Sequence, residues 1–325
     1  MQDSCDRQEI LKLFKSDSLR QFRATTKLGL NVNTVVLFID APCLHRCLFC
    51  GAHLRPPRMT AHSAKPYAVL KNCRNEGITK LLLLGEEVLN HPDILNIITR
   101  ARNHGFKEIE IQSSGEPLAD KKFMKDIVSC GATAFSFPLY GEQKIHDRLV
   151  NHPGSYRKLM IAINNLRNHS SAKIFLHTIL TRANLFSLAY TVRLTLDCGS
   201  TLGVIPLKPK RFICDGADWL VPLDEAAEVV PKEGIEWLNF PLCFIQKVQS
   251  KLFSRILKHR RNYRIQPFKK LESKVADSLF FYTRVFNLRL SYFCHGCAVK
   301  NACPGIFRRY EQVHGTRGLN KCRAL

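Results

Sequence analysis

The feature that most restricts the fold is an alternation of two hydrophobic patterns running from residue 34 to residue 207. Short apolar runs at 34–39, 80–84, 108–112, 134–138, 173–180 and 202–207 predict strands. Between them, apolar residues recur at helical spacing near 64–76, 93–104, 120–130, 155–168 and 185–197, which predicts amphipathic helices. Strand, helix and strand in succession imply parallel pairing through a right-handed crossover, so this stretch is α/β. A chain of 325 residues is longer than one such core needs, which leaves room for an appendage.

Composition removes several classes of protein. With 45% hydrophobic and 23% charged residues, the chain has the balance of an ordinary folded protein. Runs such as Leu81 to Leu84 fall far short of the about 20 apolar residues that a membrane span needs. Met1 to Arg7 is polar and acidic where a secretory signal is basic and then apolar, so a cytoplasmic location without membrane association is expected. The net charge of +22 favours an anionic partner or substrate. The 13 cysteines are an odd number and too sparse for a disulfide-stapled scaffold. In a reducing compartment, clustered cysteines bind metal or do chemistry, so their spacing carries the argument.

Cys43, Cys47 and Cys50 lie within eight residues, directly after the first predicted strand. Thiolates are the ligands of iron–sulfur clusters, and a cubane normally takes four. Three leave one iron open for an exchangeable ligand. A zinc site needs a fourth donor, and His45 is available, although it lies between thiols that must already converge. The Cys-x3-Cys-x2-Cys spacing, with Phe49 before the last cysteine, resembles the radical S-adenosylmethionine (radical SAM) superfamily. That resemblance implies a partial (βα)6 TIM-like barrel, a catalytic [4Fe–4S] cluster on Cys43, Cys47 and Cys50, and S-adenosylmethionine chelated at the open iron. It implies reductive cleavage to a 5′-deoxyadenosyl radical that abstracts a substrate hydrogen, a reductant such as flavodoxin or ferredoxin, and Phe49 against the adenine side.

Further segments resemble the same family. Gly85, Glu86, Glu87 and Val88 stand where the family carries Gly-Gly-Glu-Pro, followed by the helix start His91-Pro92-Asp93. Glu87 aligns with the family carboxylate near the methionine amino group, while Glu86 adds a side chain where a second glycine lets backbone approach the ligand. Read without the family, the two glutamates are an acidic first helical turn. Ser113, Ser114 and Gly115 follow strand three where relatives carry Thr-Asn-Gly, and Ser136 lies at the strand-four end, where it can hold S-adenosylmethionine or serve as a turn hydroxyl. His146 and Asp147 resemble a His-Asp-x-Ile-Arg run; packing or capping is expected of them, and no catalytic residue is assigned.

A second cysteine group comprises Cys294, Cys297 and Cys303, with Cys322 near the end and Cys243 upstream. Cys-x2-Cys-x5-Cys resembles the SPASM or twitch extension of radical SAM enzymes. This implies one auxiliary [4Fe–4S] cluster on Cys294, Cys297, Cys303 and Cys322, with Cys243 as the rival fourth ligand. A four-thiolate zinc site explains the same residues. Cys5, Cys73, Cys130, Cys198 and Cys214 show no metal spacing and are expected to be inert.

From Lys247 to Arg289, twelve Lys or Arg face only Glu272 and Asp277, with seven aromatics interleaved. This stretch reads as a phosphate-tracking surface, a dock for an acidic peptide, or a solvated helical face. The expected organisation is a lead-in (1–30), a radical SAM core (31–210), a connector (211–242) and a basic, cysteine-rich SPASM/twitch-like unit (243–325). Relatives with such an extension modify peptides or protein side chains, so a peptide substrate leads. Radical modification of a nucleotide, RNA or another anionic molecule is the alternative. A non-catalytic nucleic-acid-binding protein with zinc sites is the reading of another class.

Overall fold

The computed structural model describes residues 23–25, 31–39, 41–50, 79–209, 213–214, 216–250, 253–254, 288–300 and 303–322. The expected helix near 64–76, Cys5, Cys73 and most of the basic stretch lie outside these residues.

The six expected strands form, in order, β2 (Asn31–Ile39), β3 (Lys80–Gly85), β4 (Glu108–Gln112), β5 (Ala134–Pro138), β6 (Lys173–Leu180) and β7 (Leu202–Pro206). Each pairs parallel with the next, as strand–helix alternation requires. Two short strands extend the sheet beyond the sequence reading. β1 (Arg23–Thr25) adds antiparallel to β2, and β8 (Ile235–Trp237) adds parallel to β7. The segment expected to be a plain connector, 211–242, therefore contributes a strand to the main sheet.

Amphipathic helices connect the strands: α1 (Ile94–Asn103), α2 (Lys121–Cys130), α3 (Gln143–Val150), α4 (Ser155–His169) and α5 (Leu188–Asp197). Their inward residues follow the three-and-four spacing, as in Ile94, Ile97, Ile98 and Ala101 of α1 and Leu159, Ala162, Ile163 and Leu166 of α4. These stripes cover alternate strand residues, among them Leu81, Leu83, Ile109, Ile111, Phe135 and Phe137, none more than 1% exposed. Burial of each such side chain is worth about 1.5–3 kcal/mol. The other face of the strands is half-exposed and partly polar, with Glu110, Gln112, Ser136 and His177 on it.

After β7 come α6 (Leu223–Val229), β8, α7 (Leu242–Val248), the two-stranded ribbon β9 (Leu288–Arg289) with β10 (Ile306–Phe307), and α8 (Arg308–His314). Phe240, Phe244, Ile306, Phe307, Tyr310 and Leu319 belong to the same apolar core as the sheet. Polar ties reinforce that continuity. The Leu223 N–H donates to the Tyr310 hydroxyl at 2.8 Å, and that hydroxyl donates to the Arg317 carbonyl. Arg317 also pairs with Asp224 at 3.0 Å. Among the described residues, no helix is long and apolar enough to cross a membrane.

Candidate functional site

Because β2 to β6 run parallel, the segments that follow them gather along one edge of the sheet. The loop after β2 carries Cys43, Cys47 and Cys50, with exposed and buried side chains alternating along it. Its outer residues are Leu44, Arg46 and Leu48; His45 and Phe49 point inward. The loop is pinned to the end of α3, where the Arg46 N–H donates to the Val150 carbonyl at 3.1 Å and Leu48 N–H to Leu149 at 2.9 Å. A turn from the Cys50 N–H to the Cys47 carbonyl, at 2.9 Å, brings those two residues together. Phe49 is 6% exposed and packs edge-on against Tyr140, with ring centroids 5.1 Å apart. The ring expected at an adenine thus lies inside a small apolar cluster that also holds Leu149, Val150, Leu207 and Leu220.

The three thiols form one electrostatic neighbourhood. Burial pushes Cys43 up to about 11, with Glu87, Cys50 and Glu86 adding to the rise. Burial also raises the Tyr140 phenol, with Cys47, Cys50 and Cys43 contributing. A free thiolate is disfavoured there, and a metal cation would supply the missing positive charge. Three converging, partly buried thiols with no disulfide partner fit a soft metal cluster.

Glu86 and Glu87 have different environments although they are adjacent. Glu86 is exposed. Glu87 is only 2% exposed and accepts four hydrogen bonds: from Leu89 N–H at 3.2 Å, Ser113 hydroxyl at 2.7 Å, Ser114 N–H at 2.8 Å and the Ser114 hydroxyl. The buried carboxylate is thus satisfied by its own chain and ties the turn after β3 to the turn after β4. Gly85 has a steric reason: a Cβ there would lie 1.9 Å from the Ile39 carbonyl oxygen. Asn90 completes the join by donating to the Pro42 carbonyl at 2.8 Å. Ser114 therefore sits at this edge, while the Ser136 hydroxyl meets His177 Nδ1 at 3.1 Å on the half-exposed face.

A second polar group next to the cysteine loop escaped sequence reasoning. Glu116, at 8% side-chain exposure, lies 3.2 Å from His45 Nε2, 3.2 Å from His152 Nε2 and 2.7 Å from Lys158 Nζ. Burial alone would raise its carboxyl, but Lys158, His152 and His45 outweigh that and hold it below the usual carboxylate range. These residues come from four separate segments, so no spacing could announce them. Cys43, His45, Glu87, Asn90, Ser114, Glu116 and Lys158 together line an open cavity of about 190 Å³.

His146 and Asp147 take the packing and capping roles expected of them. Asp147 accepts from the Gly154 N–H at 2.9 Å and the Tyr156 N–H at 2.8 Å, which caps α4. His146 is 1% exposed between Tyr140 and Tyr156, and burial pulls it down to about 4.

The C-terminal cysteines also gather. Cys243, Cys294, Cys297 and Cys303 line one cavity with Pro241, Ser291 and Leu319. Cys322, 3% exposed, is absent from that lining but shares a side-chain hydrogen bond with Cys297 and lies near Cys243 and Cys303, and burial raises it to about 12. Burial lifts Cys303 to about 11. The Leu242 N–H donates to Cys303 Sγ at 3.3 Å, which fixes the direction of that sulfur. Five thiols thus converge from α7, the loop after β9, the approach to β10 and the chain beyond α8.

Comparison with known proteins agrees with this geometry. Residues 42–187 match the model of the radical SAM superfamily. A 105-residue stretch is 30% identical to a probable GTP 3′,8-cyclase of Methanopyrus kandleri, covering 32% of this chain and 33% of that protein. In structure, the chain is similar to Streptococcus suis SuiB bound to S-adenosylmethionine, with a TM-score of 0.50, 16% identity, and coverage of 78% of this chain and 52% of that one. It is also similar to anSMEcpe with bound AdoMet and the Kp18Cys peptide, with a TM-score of 0.50, 12% identity, and coverage of 60% and 57%. The chain spans from one third to about half the length of these two first-named relatives. Members of the superfamily use a [4Fe–4S] cluster and S-adenosylmethionine, and the matched residues include the whole three-cysteine loop and the Glu87–Ser114 join. Over residues 42–187, this chain is similar to the radical SAM superfamily.

Proposed function

We propose that the chain cleaves S-adenosylmethionine reductively at a [4Fe–4S] cluster held by Cys43, Cys47 and Cys50, and uses the product to abstract hydrogen from a peptide or protein side chain. The observation that carries this reading is the three-thiol loop at the C-terminal end of β2, set against the turns after β3 and β4 inside the matched residues. When bound, the cluster supplies the electron that breaks the sulfonium C–S bond. The protein's part is to position and to exclude water. The bonds from Arg46 and Leu48 to α3 hold the cysteine loop in place. Glu87 fixes Ser113 and Ser114, so that the Gly85–Glu87 and Ser113–Glu116 turns present one shaped wall to the methionine end of the ligand. Phe49 and Tyr140 close the apolar side behind the thiols.

A peptide substrate is supported by the likeness to anSMEcpe, a peptide-bound neighbour, and by the net charge of +22, which suits an acidic segment. A nucleotide is the second reading, favoured by the local identity to a probable GTP 3′,8-cyclase. The C-terminal thiols are proposed to hold one auxiliary [4Fe–4S] cluster through Cys294, Cys297, Cys303 and Cys322, with Cys243 as the competing fourth ligand.

The test is iron and acid-labile sulfide per chain after anaerobic reconstitution, with 5′-deoxyadenosine assayed after dithionite and S-adenosylmethionine are added. About eight irons and 5′-deoxyadenosine release that is abolished in Cys47→Ala are expected. Iron-free protein without 5′-deoxyadenosine would sink the proposal.

A further inference from the structure

We infer that His45, Glu116 and His152 form a divalent-cation site of two imidazoles and one carboxylate, separate from the cysteine cluster. Among the described residues, these three are the group of three or more His, Cys, Asp or Glu side chains whose ligand atoms all lie within 4.8 Å of one another. His45 Nε2 is 3.2 Å from Glu116 Oε2, and His152 Nε2 is 3.2 Å from Glu116 Oε1. Adjacent ligands of a first-row cation at about 2.1 Å lie roughly 3 Å apart, so the set needs little movement to close on an ion. The two imidazoles face each other with centroids 5.0 Å apart and planes 34° from parallel. His45 and Glu116 have side-chain exposures of 5% and 8%, and a buried polar group of this kind has to be compensated.

The donor chemistry separates this site from the thiols beside it. Nitrogen and carboxylate oxygen suit Mn²⁺, Fe²⁺ or Zn²⁺, and a two-His, one-carboxylate set leaves coordination positions open. Two of the three ligands, His45 and Glu116, line the same cavity as Glu87, Asn90 and Ser114, from which water or an anionic ligand oxygen can enter. Two neighbours compete with the ion. Ser155 Oγ lies 3.2 Å from His45 Nε2 and must give up that contact. Lys158 Nζ, 2.7 Å from Glu116 Oε1, holds the place of the positive charge. Its side chain is 51% exposed on the first turn of α4, so it can swing into solvent when a cation arrives.

The test is Mn²⁺ titration of the full chain under anaerobic conditions, reading the electron paramagnetic resonance of the free ion. Mn²⁺ avoids thiolates, and the readout requires neither a loaded cluster nor cleavage of S-adenosylmethionine, so failure of the radical reading would leave this result interpretable. One Mn²⁺ per chain is expected, displaced by Zn²⁺. Glu116→Gln and His152→Ala should each weaken binding by about a hundredfold, and Lys158→Met should tighten it by roughly tenfold by removing a like charge. His169→Ala, at an exposed histidine outside the site, should change nothing. His152 is the more exposed ligand, so its variant keeps the test valid if Glu116→Gln loosens the fold. Absence of saturable Mn²⁺ binding, or binding that survives both ligand substitutions, overturns the site.

Discussion

At the scale of single residues, burial decides function more than residue type does. Glu86 and Glu87 are chemically identical neighbours, yet one faces solvent and the other closes a buried four-bond network. Removing Glu87 strands the Ser113 and Ser114 donors, each at about 1–3 kcal/mol. Glu87→Ala is therefore expected to lower unfolding free energy by about 3 kcal/mol in urea without any ligand present. Glu86→Ala should stay within about 0.5 kcal/mol of the parent. Equal effects would contradict the division of roles. His146 makes a second case. Its folded value of about 4 lies below its ordinary 6.5, so the unfolded chain binds the extra proton more readily. Stability from this residue is intact above pH 6.5 and is lost progressively as pH falls toward 4, by on the order of 3 kcal/mol. Urea midpoints measured across that window should fall with pH, and His146→Gln should flatten the slope. The motif cysteines were legible because chemistry fixes their spacing along the chain. The Glu116 group was not, since its members are 71 and 36 residues away in sequence at His45 and His152 and meet only after the sheet has formed.

At the scale of elements, all six strands between residues 34 and 207 were legible because each is a short apolar or alternating run whose period differs from the helical spacing of the segments around it in the sequence. Helix α3 was not. Only Ile145, Leu149 and Val150 give it an apolar face, and its sequence reads as polar until it docks beneath the cysteine loop. The three-residue strands β1 and β8 were also invisible, since three residues carry no periodicity and only the edge of a formed sheet selects them. Gly85 marks where two elements meet too closely for any side chain. Gly85→Ala puts a methyl against the Ile39 carbonyl and forces β2 from β3 at the end that carries the thiol loop. A loss of about 3 kcal/mol is expected from thermal or urea unfolding. An unchanged midpoint would mean that the strands separate freely there.

At the scale of the whole molecule, the C-terminal unit shares its core with the sheet. Tyr310, Arg317 and His314 bond to residues 220–224, and Gly318 approaches Asp224 so closely that a Cβ would lie 2.4 Å from its backbone nitrogen. Such continuity predicts that the thiols of this unit are held in place before metal arrives, and that a single substitution there changes iron content without dissolving the sheet. On the proposed auxiliary cubane, five thiols would compete for four places. Cys322 is the proposed fourth ligand, with Cys243 beside it on the first turn of α7. After reconstitution, Cys303→Ser should carry about four irons instead of about eight, and Cys322→Ser should match it, while Cys243→Ser keeps the full number. The reverse order would assign the fourth position to Cys243. Full iron in Cys303→Ser would remove the auxiliary cluster. The 5′-deoxyadenosine assay on the same three variants separates the two sites. Cys43, Cys47 and Cys50 are untouched in all of them, so cleavage of S-adenosylmethionine under dithionite should persist even where half the iron is gone. Loss of cleavage in Cys303→Ser with four irons retained would show that the shared core transmits the C-terminal damage to the loop after β2.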